Sequence, residues 1–583
     1  MHVSKGGDFL KPATRILAAI LVLLLLTGAV FCFVSADGEK TDEELIDEYQ
    51  IPNTWARPAL LFAIRNGLLS GKDTGLCPQD AITRAEVAAI LVRVTGTSSE
   101  ADLSCFSDVN ETKWYYSEVS RAVAAGIFSG RGDGTFCPND NITRQEAISV
   151  IANLIGLTGG AREDLLDFID GSTVSDWARA TMMPMVRAGY VKGSAGYLNP
   201  KQNISRQEFA QLVYGIFKGI GSEPGKNGNY AVRADHIAAG TTVNGDVILC
   251  SEAELISLSD IKITGRLVIQ GCGSVALQLD GCNIDTLVLC RPAEVTGAGN
   301  TVSRITVLQQ SRIGIDCTQI ELHADTAFSG TAVSAAAVSG KLTYEGKGSV
   351  GALYSAADYQ AAQNAQRVRI RGYTTKQTVL YKKYVEGGTF ETPLRTLPKN
   401  TQFTYYQRYQ ICAFVRMPDG TEGYVHYSDI RISTDNYYAS ATISSGMEAC
   451  FVNYINDYTS KTDYLIWINR KTLNVSIFEG SRRCWVPIKT FPCALGKNTS
   501  PTREGVRSVS KKVERCETPE YWYHHLTYFG GDFAMHSRLY KYDGTYYDSS
   551  MSTVASAGCV RLHDENAIWI YDNIPLHSAV VIF

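Results

Sequence analysis

"SAGCVRL" (556–562) sets a cysteine between a run of small residues and the start of a strand, close to the end of a 583-residue chain. How the C-terminal domain is read depends on whether it folds around that thiol or merely encloses it. A buried cysteine is ordinarily a small hydrophobe, and an exported one is half of a disulfide. Neither accounts for Gly558 before it or Arg561 two places after it. A thiol becomes a nucleophile where a base takes its proton, and a glycine lets backbone N–H groups approach a developing oxyanion. Arg561, two residues along a strand, projects to the same side as Cys559, where it is placed to bind a carboxylate.

The surrounding segments read as β-rich. "DYLIWINRKTLNVSIFEG" (463–480) is two alternating strands, and "TFPCALGKNTSPTREGVRSV" (490–509) is a strand followed by a Gly/Ser/Pro loop. "GGDFAMHS" (530–537) puts His536 at a strand end, a helix follows at "ENAIWIYDNI", and "SAVVIF" closes the chain. "YWYHHLTYF" (521–529) reads equally well as a cleft wall or a core strand. His524, His525 and His563 are read as polar surface or as residues that back the site without touching substrate, because no ligand spacing links them; no metal or cofactor is expected.

Together these motifs resemble the L,D-transpeptidase catalytic domain of the YkuD family, in a domain placed at 440–583. The resemblance implies Cys559 as nucleophile, His536 as its base and Ser537 as the partner orienting that histidine. It also implies oxyanion donors at the backbone of Gly558 and Cys559, and a substrate side made by Ser556, Ala557 and Arg561. Ala557 stands where the family usually has histidine. Such domains cross-link peptidoglycan stem peptides through a cysteine acyl-enzyme; capture of the acyl group by water instead gives an L,D-carboxypeptidase. A non-catalytic wall-binding protein with a decayed last domain is the third reading. A histidine-paired thiol is expected to have a lowered pKa.

Near the N-terminus a unit of about sixty residues recurs three times, at 51–96, 105–156 and 165–218. Trp55, Trp114 and Trp177 open the units, and "ITRAE", "ITRQE" and "ISRQE" enter the second helix of each. Thr83, Thr143 and Ser205 with Glu86, Glu146 and Glu208 are capping boxes. Arg84, Arg144 and Arg206 recur at the first helical position, where a cation opposes the helix dipole. One such arginine is an ordinary helix-end charge; three suggest an anionic ligand. The units resemble S-layer homology (SLH) repeats, which implies anchoring to secondary cell-wall polysaccharide through these arginines, with the three tryptophans beside them.

Between the ends, "DVILC", "RLVIQ" and "TLVLC" recur every twenty residues, which predicts a β-solenoid over 230–350, with a β-sandwich as the alternative. Alternating strands over 367–434 resemble a bacterial SH3-like domain. Residues 1–36 carry Lys5, Lys11 and Arg15, then an apolar run: a signal peptide, or an uncleaved anchor giving membrane association. The expected fold is therefore multidomain: a helical SLH triplet, a solenoid, an SH3-like barrel and a mainly-β catalytic domain, on the wall or surface of a Gram-positive-type bacterium. A net charge of −4 gives no face for nucleic acid. The fifteen cysteines leave disulfides and buried free thiols both open.

Overall fold

A computed structural model describes residues 40–71, 75–365, 370–385, 388–409, 411–433 and 445–583. The expected signal or anchor at 1–36 lies outside them, and no helix among the described residues is long and apolar enough to cross a membrane. The chain divides at Pro52. The described part of the N-terminal unit is a capped helix, Asp42–Tyr49. Asn53–Phe583 is one large unit, described below.

Its first part is helical. Thr83, Thr143 and Ser205 each accept the N–H of the glutamate three residues on, whose carboxylate accepts the cap's own N–H. These boxes start the helices Arg84–Thr95, Arg144–Leu154 and Arg206–Ile216. The residue before each cap joins the repeats: Ile142 N–H donates to Ile82 O, Ile204 to Ile142 and Ile82 to Ile204, at 3.0, 3.1 and 3.0 Å. The three repeats thus close on one another as a ring. Glycine is required at Gly130, because a Cβ there would lie 2.3 Å from the Phe106 ring.

The middle is a β-solenoid of two all-parallel sheets. One runs through Val247–Cys250, Lys262–Gln270, Asn283–Leu289, Thr301–Val307, Cys317–Leu322 and Thr331–Ala337. The other stacks the intervening short strands, from Leu255–Ser259 to Leu342–Tyr344. Leu267 pairs with Leu287, Leu287 with Ile305 and Ile305 with Ile320, so the coil shortens from twenty residues to eighteen and then fifteen. Those side chains fill the interior against Ile256, Leu277 and Val295 of the second sheet. The outer face of the first sheet is covered too. Arg266 donates to Ile155 O of the repeats at 2.8 Å, and Arg304 to Asn453 O of the C-terminal part at 2.8 Å. Cys250 and Cys282 are buried, Cys272, Cys290 and Cys317 half-buried, and all the described cysteines are free thiols.

The described residues between Ile370 and Ile432 form a seven-stranded antiparallel sheet around Leu380, Phe403, Tyr405, Val415 and Val425. The C-terminal part is mainly β. A five-stranded sheet runs Val486–Pro492, Asn474–Glu479, Tyr464–Asn469, Ala579–Ile582, Gly505–Ser508. A second sheet is built on Trp522–Gly530, Phe533–His536 and Val560–Arg561, with the hairpin strands Leu539–Tyr540 and Tyr546–Asp548 at its edge. Ile466, Val475, Phe529, Met535, Val560 and Ile570 are among the core residues between them.

Candidate active site

Cys559 ends a tight turn, Ser556 to Gly558, and precedes the strand Val560–Arg561. Gly558 has φ +117°, and a Cβ there would sit 2.3 Å from the Phe533 ring, so only glycine fits without displacing it. The three carbonyls of the turn are each held by the loop that follows Gly496. Lys497 N–H donates to Ser556 O at 3.0 Å, Ser500 Oγ to Ala557 O at 2.8 Å, and Thr502 Oγ1 to Gly558 O at 2.8 Å. Gly496 N–H in turn donates to Thr502 Oγ1 at 3.0 Å. The "SPT" of this loop is therefore a cradle for the cysteine turn, a role that the sequence reading did not assign.

The turn also corrects the expected pair of oxyanion donors. Gly558 N–H donates to Ser556 Oγ at 3.2 Å, while that hydroxyl donates to Cys559 O at 2.6 Å. The Cys559 N–H donates to nothing among the described residues. One backbone donor is open, not two. Ala557 presents its side chain to solvent.

The parallel register pairs Met535 with Val560 and His536 with Arg561. This sets Cys559 opposite Ala534, on the same face as His536 two residues along. The two side chains share a face without a hydrogen bond between them; the Cys559 Sγ lies 3.8 Å from Asp532 O. His536 is buried, its ring 4.6 Å from that of Tyr523, and Nδ1 bonds to Ser537 O at 2.7 Å. A carbonyl only accepts, so Nδ1 carries the proton and Nε2 is left with its lone pair. Ser537 orients the histidine through its backbone; its hydroxyl donates to Arg538 O and accepts from His524 N–H.

Burial lowers the His536 pKa to about 4, against the Ser537 bond that raises it; Arg561 and His524 push it down further. Burial also pushes the Cys559 thiol up. The resting pair is thus neutral thiol and neutral imidazole, which reverses the expected lowering of the thiol pKa. Arg561 is buried, and its guanidinium is bound at 2.7 Å by Asp548 of the tyrosine-rich hairpin. Tyr521 packs on Tyr547 of the same hairpin at 4.8 Å, so the 521–529 strand provides a wall at one end and core residues Leu526 and Phe529 at the other. His524 and His525 bond to each other through Nδ1 at 2.7 Å, and His563 precedes the helix Asp564–Asn573.

In the helical ring the three recurrent arginines part company. Arg84 is buried, donating to Phe136 O and to Glu146 of the next repeat at 2.8 and 3.3 Å. Arg206 is buried likewise, on Leu76 O, Ser70 O and Glu86 at 3.1, 2.7 and 2.6 Å. Arg144 is half-buried, and its side chain makes no hydrogen bond or ion pair with a described residue. It lines a cavity of about 590 Å³ with Trp55, Lys192, Ser194, Tyr197 and Glu208. Trp114 and Trp177 are exposed and do not line it.

Family models agree with both ends of the chain: the S-layer homology domain at 47–88, 106–148 and 167–210, and the YkuD L,D-transpeptidase catalytic domain at 463–582. The chain carries three SLH repeats and an L,D-transpeptidase catalytic domain. It is 31% identical over 184 residues to a surface-layer 125 kDa protein of Lysinibacillus sphaericus, covering 31% of this chain and 15% of that protein. The chain therefore spans a small fraction of the length of that relative. Among solved structures, an L,D-transpeptidase of Xylanimonas cellulosilytica matches 24% of this chain and 71% of its own, at 17% identity and TM-score 0.18. A fused Zn-dependent amidase/peptidase/peptidoglycan-binding-domain protein of Clostridium acetobutylicum matches 23% and 58%, at 26% identity and TM-score 0.20.

Proposed function

We propose that this protein is a wall-anchored L,D-transpeptidase that cross-links peptidoglycan stem peptides through an acyl-enzyme on Cys559. The observation that carries this reading is the parallel register of Phe533–His536 with Val560–Arg561. It aligns a thiol, an imidazole with its Nε2 lone pair free and an unpaired backbone N–H on one short stretch of sheet. As Sγ attacks the carbonyl between the diamino acid and the terminal D-alanine, His536 Nε2 takes the thiol proton. The tetrahedral oxyanion accepts the Cys559 N–H. The C–N bond breaks, the imidazolium returns its proton to the leaving D-alanine amine, and a thioester remains. The amine of a second stem then attacks, losing its proton to His536, which restores the thiol as the new amide forms.

Neutral resting partners suit this sequence, because the proton moves only as the S–C bond forms. Gly558 gives the turn its shape, and Ser556 braces it from within through its hydroxyl rather than lining the substrate side. Ala557 is assigned to the substrate side, and Arg561, buried on Asp548, supports the site instead of binding a substrate carboxylate. In the ring, Arg144 and Trp55 are assigned to the wall polysaccharide, with Arg84 and Arg206 shaping the ring that presents them. Residues 370–432 are assigned as an SH3-like module, residues 1–36 as the export signal or anchor, and the cell wall as the location.

The test incubates the mature full-length protein with disaccharide tetrapeptides and reads the products by mass spectrometry. Cross-linked dimers support the transpeptidase and tripeptides alone the carboxypeptidase. Unchanged substrate, or turnover that survives Cys559→Ala, rejects the assignment.

A further inference from the structure

The loop that cradles the cysteine turn is itself held from outside the catalytic domain. Tyr405, 1% exposed in the seven-stranded domain, donates its hydroxyl to Thr499 O at 2.8 Å. Arg503, four residues on, lies over the rings of Phe414 and Tyr406 of the same domain, 4.7 and 5.3 Å from their centroids. The catalytic domain holds the intervening stretch: Arg470 donates to Thr502 O at 3.0 Å and to Glu504 at 3.1 Å. Residues 499 to 504 are thus pinned alternately by two domains.

The consequence reaches the thiol by way of peptide geometry. A trans peptide is planar, so the C=O of one residue and the N–H of the next point in opposite directions. Fixing Gly558 O on Thr502 Oγ1 therefore fixes the direction of the Cys559 N–H, the open oxyanion donor. Ser500, next to Thr499, fixes the preceding peptide in the same way through Ala557 O. We propose that the seven-stranded domain is a working part of the active site, with Tyr405 a positioning residue that sets the aim of the Cys559 N–H through the 499–502 loop. Its role is then more than spacing or wall contact.

The proposal rests on the transpeptidase reading for its kinetic readout, and a second readout is independent of it. In the full chain, Tyr405→Phe keeps the ring and removes only the hydroxyl. The expected result is a kcat lower by about tenfold with KM within about twofold, because the donor acts mainly in the transition state. Amide hydrogen exchange at 497–502 should quicken, while the rest of the catalytic domain exchanges as before. Combined with Thr502→Val, the losses should be less than additive, since both act through one carbonyl. Tyr373→Phe, on a half-exposed tyrosine of the same sheet, is the control and should change neither readout. Wild-type kcat and wild-type loop exchange in Tyr405→Phe overturn the proposal, as does a rise in KM alone. If wild-type protein turns over no stem peptide, the enzymatic reading fails. Loop exchange and the rate of Cys559 alkylation then decide the positioning role: unchanged values overturn it, and changed values sustain it.

Discussion

Asp548 Oδ2 lies 2.7 Å from Arg561 Nη1, so the tyrosine-rich hairpin is tied by its last strand residue to the strand that follows Cys559. The arginine is almost wholly buried and sits directly across from His536 in the sheet. Its charge disfavours a protonated imidazole, and a carboxylate 2.7 Å from the guanidinium opposes that charge. One carboxylate therefore both closes the hairpin and balances the site.

Asp548→Asn tests both roles. Loss of a charge-assisted bond to a buried guanidinium should cost about 2 kcal/mol of stability. The acid limb of kcat/KM should move to lower pH, because Arg561 then repels a proton on His536 without a counter-charge. The groups that face His536 in this balance are Arg561, His524, Tyr523 and the Ser537 carbonyl. An unchanged urea midpoint together with an unchanged pH profile would show the pair to be incidental.

In the wild-type protein the acid limb itself is expected near the His536 value of about 4, well below the 6.5 of an ordinary histidine. The same depression affects stability. Between pH 6.5 and 4 the unfolded chain binds a proton at this position that the folded chain does not, so stability is full above 6.5 and falls as pH drops through that window. Replacing the histidine should flatten the slope: His536→Asn should lose less stability than wild type on going from pH 7 to pH 4.5, measured by denaturant titration. Because burial raises the thiol pKa, alkylation of Cys559 should climb only toward alkaline pH. Fast labelling at pH 5 would refute the neutral resting pair.

What the sequence made legible, and what it did not, follows the range of each interaction. The capping boxes at Thr83, Thr143 and Ser205 are local, and each formed as its spacing implied. The solenoid register was readable because a stacked coil repeats its apolar pattern, although the constant spacing of twenty did not announce the shortening after Leu287. His536 and Cys559 stood out by residue type at strand ends. The Gly558 N–H, by contrast, is taken by a hydroxyl two residues back, a choice that depends on how the turn closes. Asp548, Ser500 and Tyr405 act across 13, 57 and 94 residues. None of these three contacts recurs along the chain, so no periodicity announces it.

Ring closure likewise separates three arginines that look equivalent in sequence. Arg84→Ala and Arg206→Ala each strip a buried ion pair from a repeat junction and should destabilise the ring by about 3 kcal/mol. Arg144→Ala removes a head that makes no hydrogen bond or ion pair with a described residue of the ring and feels only the more distant charge of Glu208, so its melting temperature should fall less than that of either junction variant. Sedimentation with purified walls carrying their secondary polymer should fall most for Arg144→Ala and for Trp55→Ala, which share the cavity. If Arg144→Ala pellets like wild type, while the two junction variants fold normally and do not, the assignment of the cavity is wrong.

The contrast between Ala557 and Gly558 gives the sharpest test of the turn. Ala557 is exposed and is held by its carbonyl on Ser500 Oγ, so the turn does not depend on its side chain. Ala557→His should therefore change kcat by less than about threefold, since the open N–H keeps its aim. Gly558 has no such latitude. A methyl group there meets the Phe533 ring at 2.3 Å, at a φ of +117° that other residues rarely adopt. Either the ring moves or the peptide rotates, and rotation swings Gly558 O off Thr502 and the Cys559 N–H off its target. Gly558→Ala should lower kcat on the order of 100-fold, the usual cost of one oxyanion donor. Pairing it with Phe533→Leu, which clears the space, should recover part of that loss. A Gly558→Ala enzyme as fast as wild type, or an Ala557→His enzyme faster by orders of magnitude, would mean that the backbone of this turn does not set the rate.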